Sequence, residues 1–133
     1  MKLPVDIANV LETYFDGIFV ITLERATERQ EQIKKRLEGL NFNFFYGVDK
    51  LQLNLKQLIN ENIYDEAEAK RLDRYGKGMV LGHVACALSH RKLYEHILRL
   101  GYKRALIFED DVVPLYDNLR EINTTLSELP TDW

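Results

Sequence analysis

"ALIFEDDVVP", Ala105 to Pro114, runs four apolar residues straight into three acids, Glu109, Asp110 and Asp111. An apolar run of this length bounded by charge reads as a buried strand, so the acids stand at its carboxyl end. Like charges this close repel by about 4 kcal/mol per pair at an effective dielectric near 20. Two readings account for them. A hard divalent cation takes oxygen ligands and cancels the repulsion. Alternatively, the run is an acidic turn or a cap for the helix that follows. Extended geometry sends Glu109 and Asp111 to one side and Asp110 to the other.

Two earlier stretches resemble this strand. "GIFVITL", residues 17–23, is compact and β-branched, and "FNFFYGV", residues 42–48, is a second apolar run. With "RALIFE", residues 104–109, they give three strands. Helical patterns separate them. "DIANVLETYF" spaces Ile7, Val10, Leu11 and Tyr14 as a short amphipathic helix. Thr27 and Gln30 form a capping-box pattern ahead of a stripe of Ala26, Ile33, Leu37 and Leu40. Residues 51–75 predict one or two short helices with a loop at "RYGKG". The longest helix is predicted over 80–100, closed by Gly101, and a last one over 116–128. Strands alternating with helices predict an α/β fold with a mostly parallel sheet. Three strands make a thin sheet, which suggests the first part of a larger domain.

The totals narrow the function. The chain has 133 residues, sufficient for one domain and its core at 46% hydrophobic content. A net charge of −3 argues against broad nucleic-acid binding. The single Cys86 forms no intrachain disulfide and fits a reducing compartment. No Cys/His zinc spacing appears, and no segment reads as a signal peptide or transmembrane span. The expected location is the cytoplasm.

Two more constellations carry chemistry. In "TLERATERQ", Arg25 follows the first strand and Arg29 lies in the first turn of the next helix, about 40° from Ile33. Two guanidiniums at a helix start suit a phosphate, although ordinary surface pairing with Glu24 and Glu28 fits equally well. In "LGHVACALSHRKLYEHILRLG", Cys86, His90, Leu93, Ile97 and Leu100 fall within about 80° of arc. His90 therefore lies on an apolar stripe, where a core histidine and a ligand are both open readings. His83 and His90 lie about 10.5 Å apart along the axis and cannot share one metal. Ser89 and His90 point about 100° apart, so they are no nucleophile–base pair.

Taken together, these pieces resemble glycosyltransferase family 25, which includes lipopolysaccharide and collagen galactosyltransferases. The family's strand followed by Asn-Leu-x-Arg-x-x-x-Arg is matched by Thr22-Leu23-Glu24-Arg25-Ala26-Thr27-Glu28-Arg29. A pattern like Ala-Val-Asp-Gly is matched by Gly47-Val48-Asp49-Lys50. Gly-Glu-Ile-Gly-Cys-x-Leu-Ser-His is matched by Gly82 to His90, and Glu-Asp-Asp by Glu109-Asp110-Asp111. Thr22 stands for Asn, Lys50 for Gly, His83 for Glu and Ala85 for Gly.

The resemblance implies a Rossmann-like fold of the GT-A type from residue 17 onward, with residues 1–16 as an N-terminal helical extension. It implies Mn²⁺ or Mg²⁺ held by Asp111 and Glu109 against the pyrophosphate of a UDP-sugar, most simply UDP-galactose. Transfer would invert the anomeric centre, onto a glycan or lipopolysaccharide-type acceptor. Thr22, Leu23, Arg25, Arg29, Asp49, Ser89, His90 and Asp110 would bind or support the donor. The resemblance covers the family's N-terminal half, so the acceptor site and the base are expected outside these residues. Further expectations are a homo-oligomer and a location in the cytoplasm or peripheral at the inner membrane. The competing classes are a non-catalytic nucleotide-sugar-binding module and a phosphoacceptor receiver domain. A receiver's acid pair ends its first strand, whereas strand one here ends in Leu-Glu-Arg.

Overall fold

The computed structural model describes residues 2–115 and 121–133. Its centre is β1 (Gly17–Thr22), flanked by β2 (Asn43–Tyr46) and β3 (Ala105–Glu109) in the order β2–β1–β3. Both pairings are parallel, with Thr22 opposite Tyr46 and Ile21 opposite Glu109. The three carboxyl ends are therefore nearly level. The expected α/β class and parallel pairing hold, and the strands are one or two residues shorter at their ends than the apolar runs.

Helices cover both faces of β1, which is why its sequence is apolar throughout rather than alternating. Ile18 and Val20 pack with Ile33 of α2 (Thr27–Arg36), with Leu37 just beyond it, and with Ile7 and Leu11 of α1 (Val5–Tyr14). On the other face Phe19 and Ile21 meet Leu93 of α5 (Leu81–Leu100). Ile33, Val20 and Leu93 have no exposed surface. The segment set apart as an extension thus contributes Ile7, Ala8 and Leu11 to the main core. Covering both faces of a 2–1–3 sheet creates a switch point at the carboxyl ends of β1 and β3, where α/β sheets hold ligands.

The charged segment 51–75 folds as a 3-10 turn (Lys50–Gln52), α3 (Leu55–Asn60) and α4 (Glu66–Leu72). Leu58, Tyr64 and Val84 form a third cluster that holds this segment against the start of α5. Gly101 closes α5 in the left-handed region at φ 71°, where glycine has no steric penalty. A last helix, α6, covers Ile122–Ser127, and residues 116–120 of the predicted 116–128 helix lie outside the described residues.

One local expectation is corrected. Thr27 is the first helical residue and the N-cap is Ala26, with no side-chain cap. Gln30 turns instead to the incoming chain, donating from Nε2 to the Leu23 carbonyl at 2.9 Å. The motif's residues sit one position too late for a capping box, so the first-turn amides of α2 stay uncapped. Among the described residues, no helix is long and apolar enough to cross a membrane.

Candidate functional site

A cleft of about 350 Å³ lies over the carboxyl ends of β1 and β3. Its floor is Ile21, Thr22 and Leu23, one wall is Arg25, Ala26 and Arg29, and the other is Gly82, Ala85, Cys86, Ser89 and His90. Lys50, Glu109 and Asp110 complete the rim. The volume is in the range of small-ligand sites.

The acids at the end of β3 diverge. Asp110 turns towards α2, where its Oδ2 accepts from Thr22 Oγ1 at 2.8 Å and its Oδ1 from Arg29 Nη1 at 3.0 Å. Glu109 turns towards α5, with Oε1 at 3.1 Å from His90 Nε2 and 3.8 Å from Cys86 Sγ. The alternation expected between these two residues is present. It stops there, because Val112 N donates to the Glu109 carbonyl at 3.1 Å and closes a turn. Asp111 is exposed in that turn and does not line the cleft.

A second clamp joins the ends of β1 and β2. Arg25 donates through Nε and Nη2 to the two oxygens of Asp49, at 2.5 and 3.4 Å. Asp49 also accepts from Leu51 N at 3.0 Å, capping the 3-10 turn. The Arg25 hydrogen bond first, and the Leu51 amide second, hold the Asp49 carboxyl below its ordinary range, and the hydrogen bond to Asp49 first, then its charge, raise Arg25. Asp49 thus reaches the cleft through Arg25. Each arginine keeps N–H donors beyond those its carboxylate uses, so both can still meet an anion.

The far wall is set by Ser89, which is buried with 4% of its surface exposed. Its hydroxyl donates to the Ala85 carbonyl at 2.7 Å and accepts from Val48 N at 2.8 Å. A Cβ on Gly47 would stand 2.6 Å from that hydroxyl oxygen, so only glycine lets the chain after β2 approach α5 this closely. His90 lies one helical turn from Cys86, between it and Leu93 on α5. The stripe that packs Leu93 against the sheet therefore rises into the cleft at its amino-terminal end. Tyr94 Oη lies 3.4 Å from His90 Nδ1. Burial first, and the Glu109 charge second, push the Cys86 thiol upward. Neither the Cys86–His90–Glu109 grouping nor the place of Lys50 on the rim was visible in sequence, because these residues converge from different elements.

The fold is α/β, and its polar cleft lies at the switch point, where open α/β sheets hold small ligands. A family model described as glycosyltransferase family 25 (LPS biosynthesis protein) matches residues 15–130, and the chain belongs to that family. It is similar to a "Glycosyltransferase 25 family member" of Anopheles gambiae, 33% identical over 102 residues, covering 71% of this chain and 16% of the relative. It is similar to "Inactive glycosyltransferase 25 family member 3" of Homo sapiens, 32% identical over 100 residues, covering 74% and 17%. It is also similar to "Procollagen galactosyltransferase 1-A" of Xenopus laevis, 28% identical over 127 residues, covering 90% and 20%. The chain thus spans no more than about a fifth of the length of these relatives.

Proposed function

We propose that this chain forms the donor-binding part of a metal-dependent hexosyltransferase that takes a UDP-sugar, most simply UDP-galactose, in a GT-A arrangement over residues 17–133. The observation that carries this reading is convergence: Thr22, Arg25 and Arg29, then Ser89 and His90, then Glu109 and Asp110 are scattered over 88 positions and line one cleft. The acceptor is a glycan or lipopolysaccharide-type molecule, the transfer inverting, and the setting the cytoplasm or the inner face of a membrane. The single free cysteine fits a reducing compartment.

The donor set suits the implied cation. Glu109, Asp110 and Asp111 supply carboxylate oxygens, the ligand class of Mn²⁺ and Mg²⁺. Asp110 is engaged by Thr22 and Arg29, while Asp111 is exposed with no hydrogen bond or ion pair among the described residues. Asp111, with Glu109, would hold the metal, which when bound neutralises pyrophosphate charge. Arg25 and Arg29 would meet phosphate at the uncapped start of α2, where free amides favour an anion. Thr22 and Leu23 line the nucleotide pocket, Asp49 holds Arg25 beside it, and Ser89 fixes the opposite wall.

A second reading is binding without transfer. It is favoured by His83, which removes an acid from the start of α5 relative to the family pattern. One titration separates the readings from no binding at all. UDP added calorimetrically to the chain with Mn²⁺ should give heat that Asp111→Ala largely abolishes. Arg29→Ala should weaken UDP by about 1.5–3 kcal/mol, the value of a charge-assisted hydrogen bond. Unchanged heats in both variants would sink the assignment. Binding without release of hexose from UDP-hexose is expected of this chain, and release would show that a catalytic base lies within it rather than outside.

A further inference from the structure

We infer that Cys86, His90 and Glu109 form a second metal site, which shares Glu109 with the carboxylate run and, through its thiol and imidazole, takes a borderline cation of the Zn²⁺ class. The three donor atoms, Sγ, Nε2 and a carboxylate oxygen, all lie within 4.8 Å of one another. Cys86 and His90 are one helical turn apart on α5 and share a face, and Glu109 reaches them from the end of β3. Two rigid elements therefore present the ligands, rather than one loop.

The separations agree with coordination. Zinc binds sulfur at about 2.3 Å and nitrogen or oxygen at about 2.0–2.1 Å, so tetrahedral angles place N and O about 3.3 Å apart and S and O about 3.5 Å apart. The observed separations are 3.1 Å and 3.8 Å. A cation entering the triad needs only small side-chain adjustments. A simple His–carboxylate bond would need no thiol, yet Sγ is directed at the same oxygen that His90 meets. The outer contact fits as well. Ligating histidines commonly bind their other ring nitrogen to a partner, and Tyr94 Oη stands 3.4 Å from Nδ1. That contact leaves Nε2 to face the metal.

Softness separates this site from the acid run. Thiolate and imidazole select zinc-class ions, whereas all-oxygen sets suit Mg²⁺ and Mn²⁺. Three protein ligands leave a fourth position, the arrangement of open zinc sites. All three ligands line the cleft, so that position faces it and can take water or an anionic oxygen.

Co²⁺ is the probe, added to the tag-free 133-residue chain without nucleotide, so the outcome does not depend on UDP binding or sugar transfer. Binding should produce the intense visible bands of a tetrahedral site and a thiolate-to-metal charge-transfer band. One equivalent of Zn²⁺ should abolish both, and excess Mg²⁺ should not. His90→Ala and Glu109→Gln should each weaken Co²⁺ by at least about tenfold, the lower end of what even outer contacts contribute. The exposed His83→Ala should change nothing. X-ray absorption of the zinc-loaded wild type gives a check free of folding effects, with one sulfur at about 2.3 Å among nitrogen and oxygen neighbours. Absence of the charge-transfer band, a shell without sulfur, or affinity unchanged in both His90→Ala and Glu109→Gln would overturn the site.

Discussion

Asp49 shows how one residue couples the cleft to pH. Its carboxyl is held low by Arg25 first and the Leu51 amide second. A carboxyl whose folded pKa lies below its unfolded value contributes stability that is complete above the unfolded value, about 3.9 for Asp. That contribution is lost as pH falls through the lower folded value. Urea midpoints of wild type and Asp49→Asn should therefore differ at about pH 6 and converge towards about pH 2. A gap that stays constant over this range would show that the Asp49 charge plays no part. At this scale the sequence was informative where chemistry is local. The acid run and both arginines were legible because charge at a strand end or helix start has few explanations. The pairing of Arg25 with Asp49, rather than with Glu24, was not, because 24 residues of chain separate the partners.

Elements meet through small residues at the edge of the sheet. The joint between the end of β2 and α5 consists of Gly47, Val48 and Ser89, and a Cβ at Gly47 would stand 2.6 Å from the Ser89 hydroxyl oxygen. Ser89→Ala keeps the shape and removes the acceptor for Val48 N. Leaving that partly buried amide unpaired should cost about 1–2 kcal/mol. Chemical denaturation measures this directly, and a change under about 0.5 kcal/mol, the usual range for surface substitutions, would refute the assignment. The type and order of elements followed from periodicity: β1 and the packing half of α5 are strongly patterned. The amino-terminal part of α5 misled because one apolar stripe serves two environments, core at Leu93 and cleft at His90. The capping-box reading failed by one residue, since helix phase at a start is set by the incoming turn rather than by the motif.

At the scale of the molecule, the sheet's two outer strands decide behaviour. Among the described residues β2 and β3 each pair on one side only, with β1. Unpaired strand edges recruit further strands unless they are blocked by charge, proline or a covering element. Tyr46, at the carboxyl end of β2, is 54% exposed, and the four residues of β2 carry no charge. Leu98, 76% exposed on α5, adds apolar surface that association can bury. The chain in isolation is therefore expected to form dimers or larger species by edge pairing along β2. Light scattering across a concentration series should give at least twice the monomer mass of 15.6 kDa at the upper end. Tyr46→Lys places a charge on that edge and should shift the distribution towards monomer without lowering the denaturation midpoint appreciably. A wild type that stays monomeric at every concentration would show the edges to be closed by something other than a second copy.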